Sequence, residues 1–420
     1  MKKINLSAGT FLAIISFSIA GSVIYELPYI RNVYYDKFVE AFGMTNAQVG
    51  FLMSAYAVGC LLLYIPGGIL ADKFSTKKML VLSLMGTGAL GIVMALSMNY
   101  VTALIAFFLF AVTTSFVFWA ALNKGLRIIG GKEDSGSTYG WYYALGSVIS
   151  LVCGLGFWAL YTSTENSHDA MFRTIMAMSI AVIVSGVLVQ ITFKEENTSL
   201  AQTAEEDKFR LSDVGKAIKN PYLWWASIIM FLIYTIYSNV SYFTPYLSSQ
   251  VGMDVSDSSF LGIIRGYVFY FLSPVGGYIA DKLLKSTLRL YGYGFIGLAV
   301  LFFAATRVPA GEDSVVIAIV ISLLASAFAM MLYGVMWSIL NEIDIPISYA
   351  PTAIGISSMV IYLPDLFVPA MIGSWLDNYG EEAGYFRMFI FFGICCMLAV
   401  VLSLTLAERV KMMKAAKEIK

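Results

Sequence analysis

Residues 68–73 of the chain read GILADK, and residues 277–282 repeat the pattern as GYIADK. Two further pairs return in the same order: YELPYI at 25–30 with YFTPYL at 242–247, and WAALNK at 119–124 with WSILNE at 337–342. The three offsets are 209, 217 and 218 residues, so they are nearly constant. Self-similarity at a fixed offset indicates that the chain contains two related halves.

The composition places most of the chain in a membrane. It is 59% hydrophobic and only 13% charged, whereas a soluble domain has roughly 25% charged residues. The 27 basic and 27 acidic residues balance, so no net charge favours nucleic acid. The four cysteines lie in apolar runs without metal-ligand spacing, and His168 is the only histidine. We therefore predict no metal, no cofactor and no histidine proton relay.

Apolar stretches of spanning length, about 20 residues each, predict the transmembrane helices. They fall at roughly 9–31, 46–71, 79–97, 101–123, 138–162, 170–192, 221–248, 257–280, 288–306, 314–341, 351–375 and 385–407. The predicted fold is an all-α membrane protein with twelve transmembrane helices in two pseudo-symmetric six-helix bundles. The domains are 1–192, a cytoplasmic linker at 193–220 with a short helix near 211–219, and 221–420.

The distribution of basic residues predicts the orientation. With both termini cytoplasmic, 21 lysines and arginines lie on the cytoplasmic side and 5 outside, with Arg31 among the external ones. The first apolar run is longer than a signal-peptide core, so we expect it to be retained as a helix. The chain has no phosphate-binding glycine loop and no large soluble region, which favours a process driven by a gradient. The low cysteine content fits a bacterial cytoplasmic (inner) membrane.

The segment GILADKFSTKK at 68–78 resembles the signature loop of the major facilitator superfamily, and 277–289 contains a degenerate copy. Ser75 stands where that family usually has glycine, so the turn there is expected to differ. The resemblance covers the whole chain and implies secondary transport by alternating access, with no enzymatic activity. It also implies that the acidic and basic residues of the two loops are conformational latches. These residues are Asp72, Lys73, Lys77, Asp281 and Lys282.

Arg265 is a candidate ligand for the substrate because it lies near the middle of the eighth helix. Ionisable residues at that depth are costly and mark functional sites. A guanidinium offers a fixed fork of donors to a carboxylate, sulfonate or phosphate. Some anion-carrying members of the family place an arginine at this level, which strengthens the hypothesis. The alternative is a structural ion pair with an acid on a neighbouring helix.

Two acidic residues are candidates for proton coupling. Asp365 lies near the middle of the eleventh helix, where it is either a proton carrier or the counter-ion of Arg265. Glu26 lies beside Pro28 in the outer half of the first helix, and its alternative is an interfacial acid paired with Arg31. Pro28 and Pro245 occupy matching positions in the two halves, and both are expected to bend their helices.

Aromatic residues on the predicted cavity-lining helices are further candidates for substrate binding, since hydroxyl-rich aromatic walls suit polar solutes. They are Tyr29, Tyr56, Trp119, Tyr142, Tyr237, Tyr242, Tyr267 and Trp337. Packing and the interfacial aromatic belt are the alternatives. The repeated Trp-x-x-Leu-Asn segments end in Asn123-Lys124 and Asn341-Glu342, which we expect to help close the cytoplasmic gate; two unrelated helix ends are the alternative.

These patterns together predict a secondary active transporter for a small polar, anionic solute: a sugar acid, sugar phosphate or carboxylate. Proton coupling and exchange both stay open. One alternative is a proton symporter for a neutral sugar or nucleoside, in which Arg265 serves only Asp365. Multidrug efflux is another, although a lone central arginine is unfavourable for cationic drugs. A monomer is expected to contain the whole pathway, and its partners are the substrate, protons and the lipid bilayer.

Overall fold

The computed structural model describes residues 8–130, 135–195, 211–346 and 350–418, and every regular element within these ranges is helical. The first half contains α1 (Ala8–Val23), α2 (Arg31–Phe42), α3 (Asn46–Lys73), α4 (Thr76–Ser97), α5 (Tyr100–Ala111), α6 (Trp119–Gly130), α7 (Ser135–Tyr161) and α8 (Ser167–Thr192). The second half contains α9 (Leu211–Ile218), α10 (Pro221–Asn239), α11 (Phe243–Pro245), α12 (Val255–Ile263), α13 (Ser273–Tyr278), α14 (Thr287–Ala305), α15 (Val315–Gly334), α16 (Ser338–Glu342), α17 (Ala350–Ile361) and α18 (Pro364–Glu418).

The helices agree with the predicted membrane fold. Ten segments within the described ranges are long and apolar enough to cross a bilayer. The last of them, Thr352–Ala415, contains two predicted spans, and Gly380 divides it with a φ of 75° that favours glycine. The first span is interrupted after α1, so its helical piece, Gly9–Val23, is shorter than the others. The all-α membrane fold is confirmed, and the short helix predicted near 211–219 is α9.

Both halves break the α-helix at the matching prolines. Residues 24–30 form consecutive turns around Pro28 between α1 and α2. In the second half a 3₁₀ turn, Val240–Tyr242, precedes α11, and a π-helical turn, Tyr246–Gln250, follows it. Proline lacks the N–H that an α-helix needs and its ring clashes with the preceding turn, so the backbone adopts other hydrogen-bond patterns there.

Small residues allow the helices to approach closely. A Cβ on Gly91 of α4 would lie only 2.2 Å from Ser179 Oγ of α8, and one on Gly294 of α14 would meet the Leu332 side chain of α15 at 2.8 Å. In a bilayer, van der Waals packing replaces the hydrophobic effect between helices, so such close approaches stabilise the bundle.

The chain divides into two compact units, Met1–Gln202 and Thr203–Lys420. In the first unit α4 packs on α8, α3 on α5, and α1 on α7 and α8. In the second unit α14 packs on α18 and α15, and α10 packs on α17 and α18. The division falls within the segment predicted as the linker, most of which lies outside the described residues.

Candidate functional site

Arg265 is buried in the middle of a helix that is interrupted around it. A π-helical turn, Ile264–Val268, follows α12, and a 3₁₀ turn, Phe269–Leu272, follows in turn. π turns of this kind occur frequently at functional sites. The Arg265 side chain is only 5% exposed, so its charge is withdrawn from solvent.

The guanidinium has one partner within the described part of the chain. Arg265 Nη2 donates to Thr244 Oγ1 at 2.5 Å, whereas Nε and Nη1 have no hydrogen-bond partner there. Thr244 is placed by the interruption of the seventh span next to Pro245. A buried cation with unused donors is unfavourable unless another group supplies the missing acceptors. The arrangement can therefore donate hydrogen bonds to an anionic group.

Asp365 lies in the first turn of α18, immediately after Pro364. It is 5% exposed, and its Oδ2 accepts a hydrogen bond from the Tyr234 hydroxyl at 2.6 Å. The positive end of the helix dipole stabilises an anion at this position. Arg265 forms no ion pair within 4.0 Å among the described residues, so the structure lacks the direct Arg265–Asp365 contact that was one of the two alternatives.

Tyrosines surround Asp365 in the second half. Tyr237 stacks on Tyr333 with ring centroids 3.6 Å apart and an interplanar angle of 3°. Tyr362 meets the Tyr234 ring edge-on at 4.8 Å. The Tyr237 and Tyr270 hydroxyls lie 3.0 Å apart. Of these residues, only Tyr237 is among the ligands predicted from the sequence. Tyr234 and Tyr237 are three residues apart and therefore share one helix face, so the sequence does contain a signal for Tyr234.

The other predicted aromatic ligands have different environments. The Tyr242 ring is buried and its hydroxyl donates to the Pro369 carbonyl at 2.8 Å. The Tyr56 hydroxyl bonds to Thr114 Oγ1 at 2.9 Å. Hydrogen bonds of this kind fix both tyrosines within the protein. Tyr142 is likewise buried, Tyr29 and Tyr267 are half-buried, and Trp119 and Trp337 are exposed.

The first half also contains two buried charged residues, Glu26 and Arg31. Glu26 lies in the turns around Pro28 and is buried. Arg31, expected among the external loop charges, instead begins α2 and is only 2% exposed. The helix α2 follows the interrupted span directly, so a residue that looked like the end of a span is enclosed by protein. Only its closeness to Pro28 and Glu26 in the sequence hinted at the burial of Arg31.

The predicted latch region contains a contact that the sequence did not indicate. Ser75 is the N-cap of α4, with its Oγ accepting from the Lys78 N–H. Glu195, just after α8, accepts hydrogen bonds from the Ser75 hydroxyl and from the backbone N–H groups of Thr76 and Lys77. Ser75 therefore replaces the usual glycine with a capping residue, which an acid reinforces.

These contacts determine how Glu195 titrates. Partial burial opposes ionisation, but the hydrogen bonds from Ser75, Thr76 and Lys77 outweigh it and hold the pKa of Glu195 below its usual range. The carboxylate is thus the stable form at the N-terminus of α4.

The second half repeats this cap with an acid from another helix. Ser286 is the N-cap of α14, and its hydroxyl donates to Glu342, which also accepts from the Leu288 N–H at 2.9 Å. Asp281 and Lys282 are exposed, and within the described ranges Asp281 takes part in no hydrogen bond or ion pair. In this half Glu342, rather than Asp281, contacts the helix end.

The remaining predicted gate residues lie on α6 and α16: Asn123 and Lys124 are inside α6, which continues to Gly130 rather than ending there, and Asn341 is in the last turn of α16. Asn123 donates to the Trp119 carbonyl at 2.8 Å and accepts from the Tyr139 hydroxyl. Lys124 is half-buried and Asn341 is exposed. The side chains of Asp72 and Lys73 lie outside the described residues. A pairing of Lys124 with Glu342 across the halves stays a prediction.

Comparisons with known proteins agree with this architecture. The model of the Major Facilitator Superfamily matches residues 6–369. The inner membrane protein YqcE of Escherichia coli is 29% identical over 406 residues, covering 95% of both chains. The hexuronate transporter of Bacillus subtilis is 21% identical over 377 residues, covering 85% of this chain and 86% of the relative.

A solved structure shares the fold. It is the inward-facing, unoccupied crystal structure of a bacterial homolog of the human lysosomal transporter Spinster, with a TM-score of 0.75 and 14% identity over 96% of this chain and 98% of that one. The protein is a multi-pass integral membrane protein and a transporter rather than an enzyme, and the chain belongs to the major facilitator superfamily.

Proposed function

We propose that the protein moves a small organic anion across the bacterial inner membrane by alternating access, with Arg265 as the anion-binding group. The observation that supports this most directly is the burial of a guanidinium with two unused nitrogen donors. A carboxylate, sulfonate or phosphate supplies oxygens that can accept hydrogen bonds from these nitrogens. The name of the hexuronate transporter is consistent with a sugar acid, and the name of YqcE with the inner membrane.

In the neutral-sugar alternative, Arg265 neutralises the charge of Asp365 and does not bind the substrate. That role needs the two side chains in contact, whereas Arg265 donates to Thr244 and Asp365 accepts from Tyr234. An anionic substrate is therefore the better explanation for the arginine. Asp365 and Glu26 are the residues available for proton coupling, because both are buried acids within membrane spans.

Binding to the purified protein in detergent tests the anion site. D-gluconate, D-glucuronate, D-glucose 6-phosphate and D-glucose are compared by thermal shift on the wild type, Arg265→Gln and the exposed control Arg173→Gln. A ligand at 100 times its Kd stabilises the folded state by about 2.7 kcal/mol. We expect at least one anion, but not glucose, to raise the Tm of the wild type and of Arg173→Gln, and to leave Arg265→Gln unchanged. Equal stabilisation of all three proteins would contradict the proposal.

Coupling is tested in proteoliposomes with an anion identified in this way. An Asp365→Asn variant that still exchanges labelled for unlabelled anion, but no longer accumulates it with a proton gradient, identifies Asp365 as the coupling residue. Accumulation at the wild-type level in this variant would exclude Asp365, and Glu26→Gln would then be tested in the same way.

A further inference from the structure

Five tyrosines and one aspartate form a connected group in the second half. This tyrosine cluster comprises Tyr234, Tyr237, Tyr270, Tyr333, Tyr362 and Asp365. We propose that the tyrosine cluster binds the hydroxyl groups of the transported anion and thereby selects polyhydroxylated acids over plain alkyl acids of the same charge. The inference rests on the proposed anion site at Arg265 and assigns the substrate class of that site.

The Tyr237 and Tyr270 hydroxyl groups have unused hydrogen-bonding capacity. Tyr237 and Tyr270 share one hydrogen bond of 3.0 Å, so one phenol donates and the other accepts. The hydroxyl hydrogen of the accepting phenol has no protein acceptor within the described ranges. Each phenol oxygen can also accept. A sugar hydroxyl, which both donates and accepts, matches such a pair, whereas a methylene group does not.

The cluster is partly exposed at one side and fixed at the other. Tyr270 is 45% exposed, and Tyr237, Tyr333 and Tyr362 are half-buried. Tyr234 and Asp365 are buried behind them and joined by their 2.6 Å hydrogen bond. Asp365 thus holds Tyr234, and the Tyr237–Tyr333 stack holds the ring that presents the Tyr237 hydroxyl. Rigid aromatic rings with polar tips position hydroxyls at little cost in conformational entropy.

Two members of the cluster, Tyr237 and Tyr270, lie on the same two spans as Thr244 and Arg265. Arg265 contacts Thr244, and Tyr270 contacts Tyr237, so two separate hydrogen bonds connect the seventh and eighth spans in register. Arg265 and Tyr270 are five residues apart, or about 7 Å along the axis at an α-helical rise. The π turn between them brings residues five apart towards one face, as its Phe269 N–H to Ile264 carbonyl bond shows.

This spacing implies one orientation for the bound substrate. An anionic group at Arg265 places the remainder of a six-carbon chain beside the tyrosine hydroxyls. A buried site built to hydrogen-bond a hydroxyl strongly rejects an analogue that lacks it, because the polar groups of the site are then left unpaired. The arrangement therefore favours sugar acids and sugar phosphates and disfavours alkyl carboxylates.

The test compares anions that differ only in their hydroxyl groups. Affinities of D-gluconate and hexanoate, which both carry six carbons and one carboxylate, are measured by calorimetry on the purified full-length protein. D-glucuronate and D-glucose 6-phosphate extend the hydroxylated set. The variants are Tyr237→Phe, Tyr270→Phe, their combination, Arg265→Gln, and Tyr293→Phe as an exposed control that keeps the same chemistry of substitution.

We expect at least one hydroxylated anion to bind the wild type at least tenfold more tightly than hexanoate. Each tyrosine variant should lose about three- to tenfold of that affinity with little change for hexanoate, the combination should lose most of the preference, and Tyr293→Phe should retain it. Arg265→Gln should weaken both classes of anion. Folding of each variant is checked by its Tm without ligand.

Each failure has its own meaning. Hexanoate bound as tightly as the hydroxylated anions, or a preference unchanged in the combined variant, overturns the tyrosine cluster as a subsite while leaving Arg265 as the anion site. Anion binding that persists in Arg265→Gln overturns the proposed function itself. No binding by any of the three hydroxylated anions overturns the inference as well.

Discussion

Replacing Thr244 by valine is expected to destabilise the second half through Arg265. Valine has nearly the volume of threonine, so the change removes a hydroxyl without leaving a large cavity. The lost interaction is the 2.5 Å bond to Nη2, the one hydrogen bond that the guanidinium makes within the described residues. Hydrogen bonds to charged groups contribute about 1.5–3 kcal/mol, and a buried donor left unsatisfied adds to the loss. We expect the free energy of unfolding to fall by about 2 kcal/mol.

The assay is thermal unfolding of the purified protein in detergent. For a unit of roughly 200 residues, about 2 kcal/mol corresponds to a Tm lower by about 4–8 °C. Thr235→Val is the matched control, because Thr235 is a buried threonine of the same span whose hydroxyl donates to the Phe231 carbonyl of its own helix. A hydroxyl bonded back to the carbonyl four residues earlier in its own helix contributes little to stability. A Thr244→Val variant that melts no lower than Thr235→Val would refute the reasoning.

Three further predictions concern the helix ends and the packing. Glu195→Gln should lower the Tm at neutral pH. Because the folded-state pKa of Glu195 is depressed, the higher Tm of the wild type should disappear as the pH falls below the ordinary range of glutamate titration. A Tm difference between the two proteins that persists in acid would contradict the cap. Gly91→Leu should abolish stable folding, seen as loss of the monodisperse peak in gel filtration, because its Cβ alone would lie 2.2 Å from Ser179 Oγ. Glu342→Gln should lower the Tm at neutral pH, because α14 loses the carboxylate that accepts from Ser286 and Leu288, and a Tm equal to that of the wild type would contradict this cap.

Sequence patterns predict the spans because spanning length and apolarity are local properties of the chain. The repeats predict the matched interruptions, since Pro28 and Pro245 act on their own helices. Gly380, by contrast, divides two spans that are otherwise one continuous helix, and its φ of 75° depends on the path of the backbone rather than on hydropathy.

The contacts of the candidate site were less predictable because they join residues that are far apart in the chain. Arg265 was identified from depth alone, but its partner Thr244 depends on two irregular turns that have no hydropathy signal. The burial of Arg31 was not predicted, because a charge at the end of an apolar stretch looks like an exposed residue. Glu195 was missed because it lies 120 residues from Ser75, and only the packing of α8 beside α4 brings the two together.

The two acid caps differ in which part of the gene encodes them, and this bears on how the protein can be divided. Glu342 is encoded within the second half, together with the helix it caps. Glu195 lies at the start of the segment that connects the halves, and it caps a helix whose own sequence lies 120 residues earlier. Two co-expressed fragments separated just after position 195 therefore each retain their own acid cap, whereas a break only three residues earlier leaves α4 with Ser75 but without Glu195.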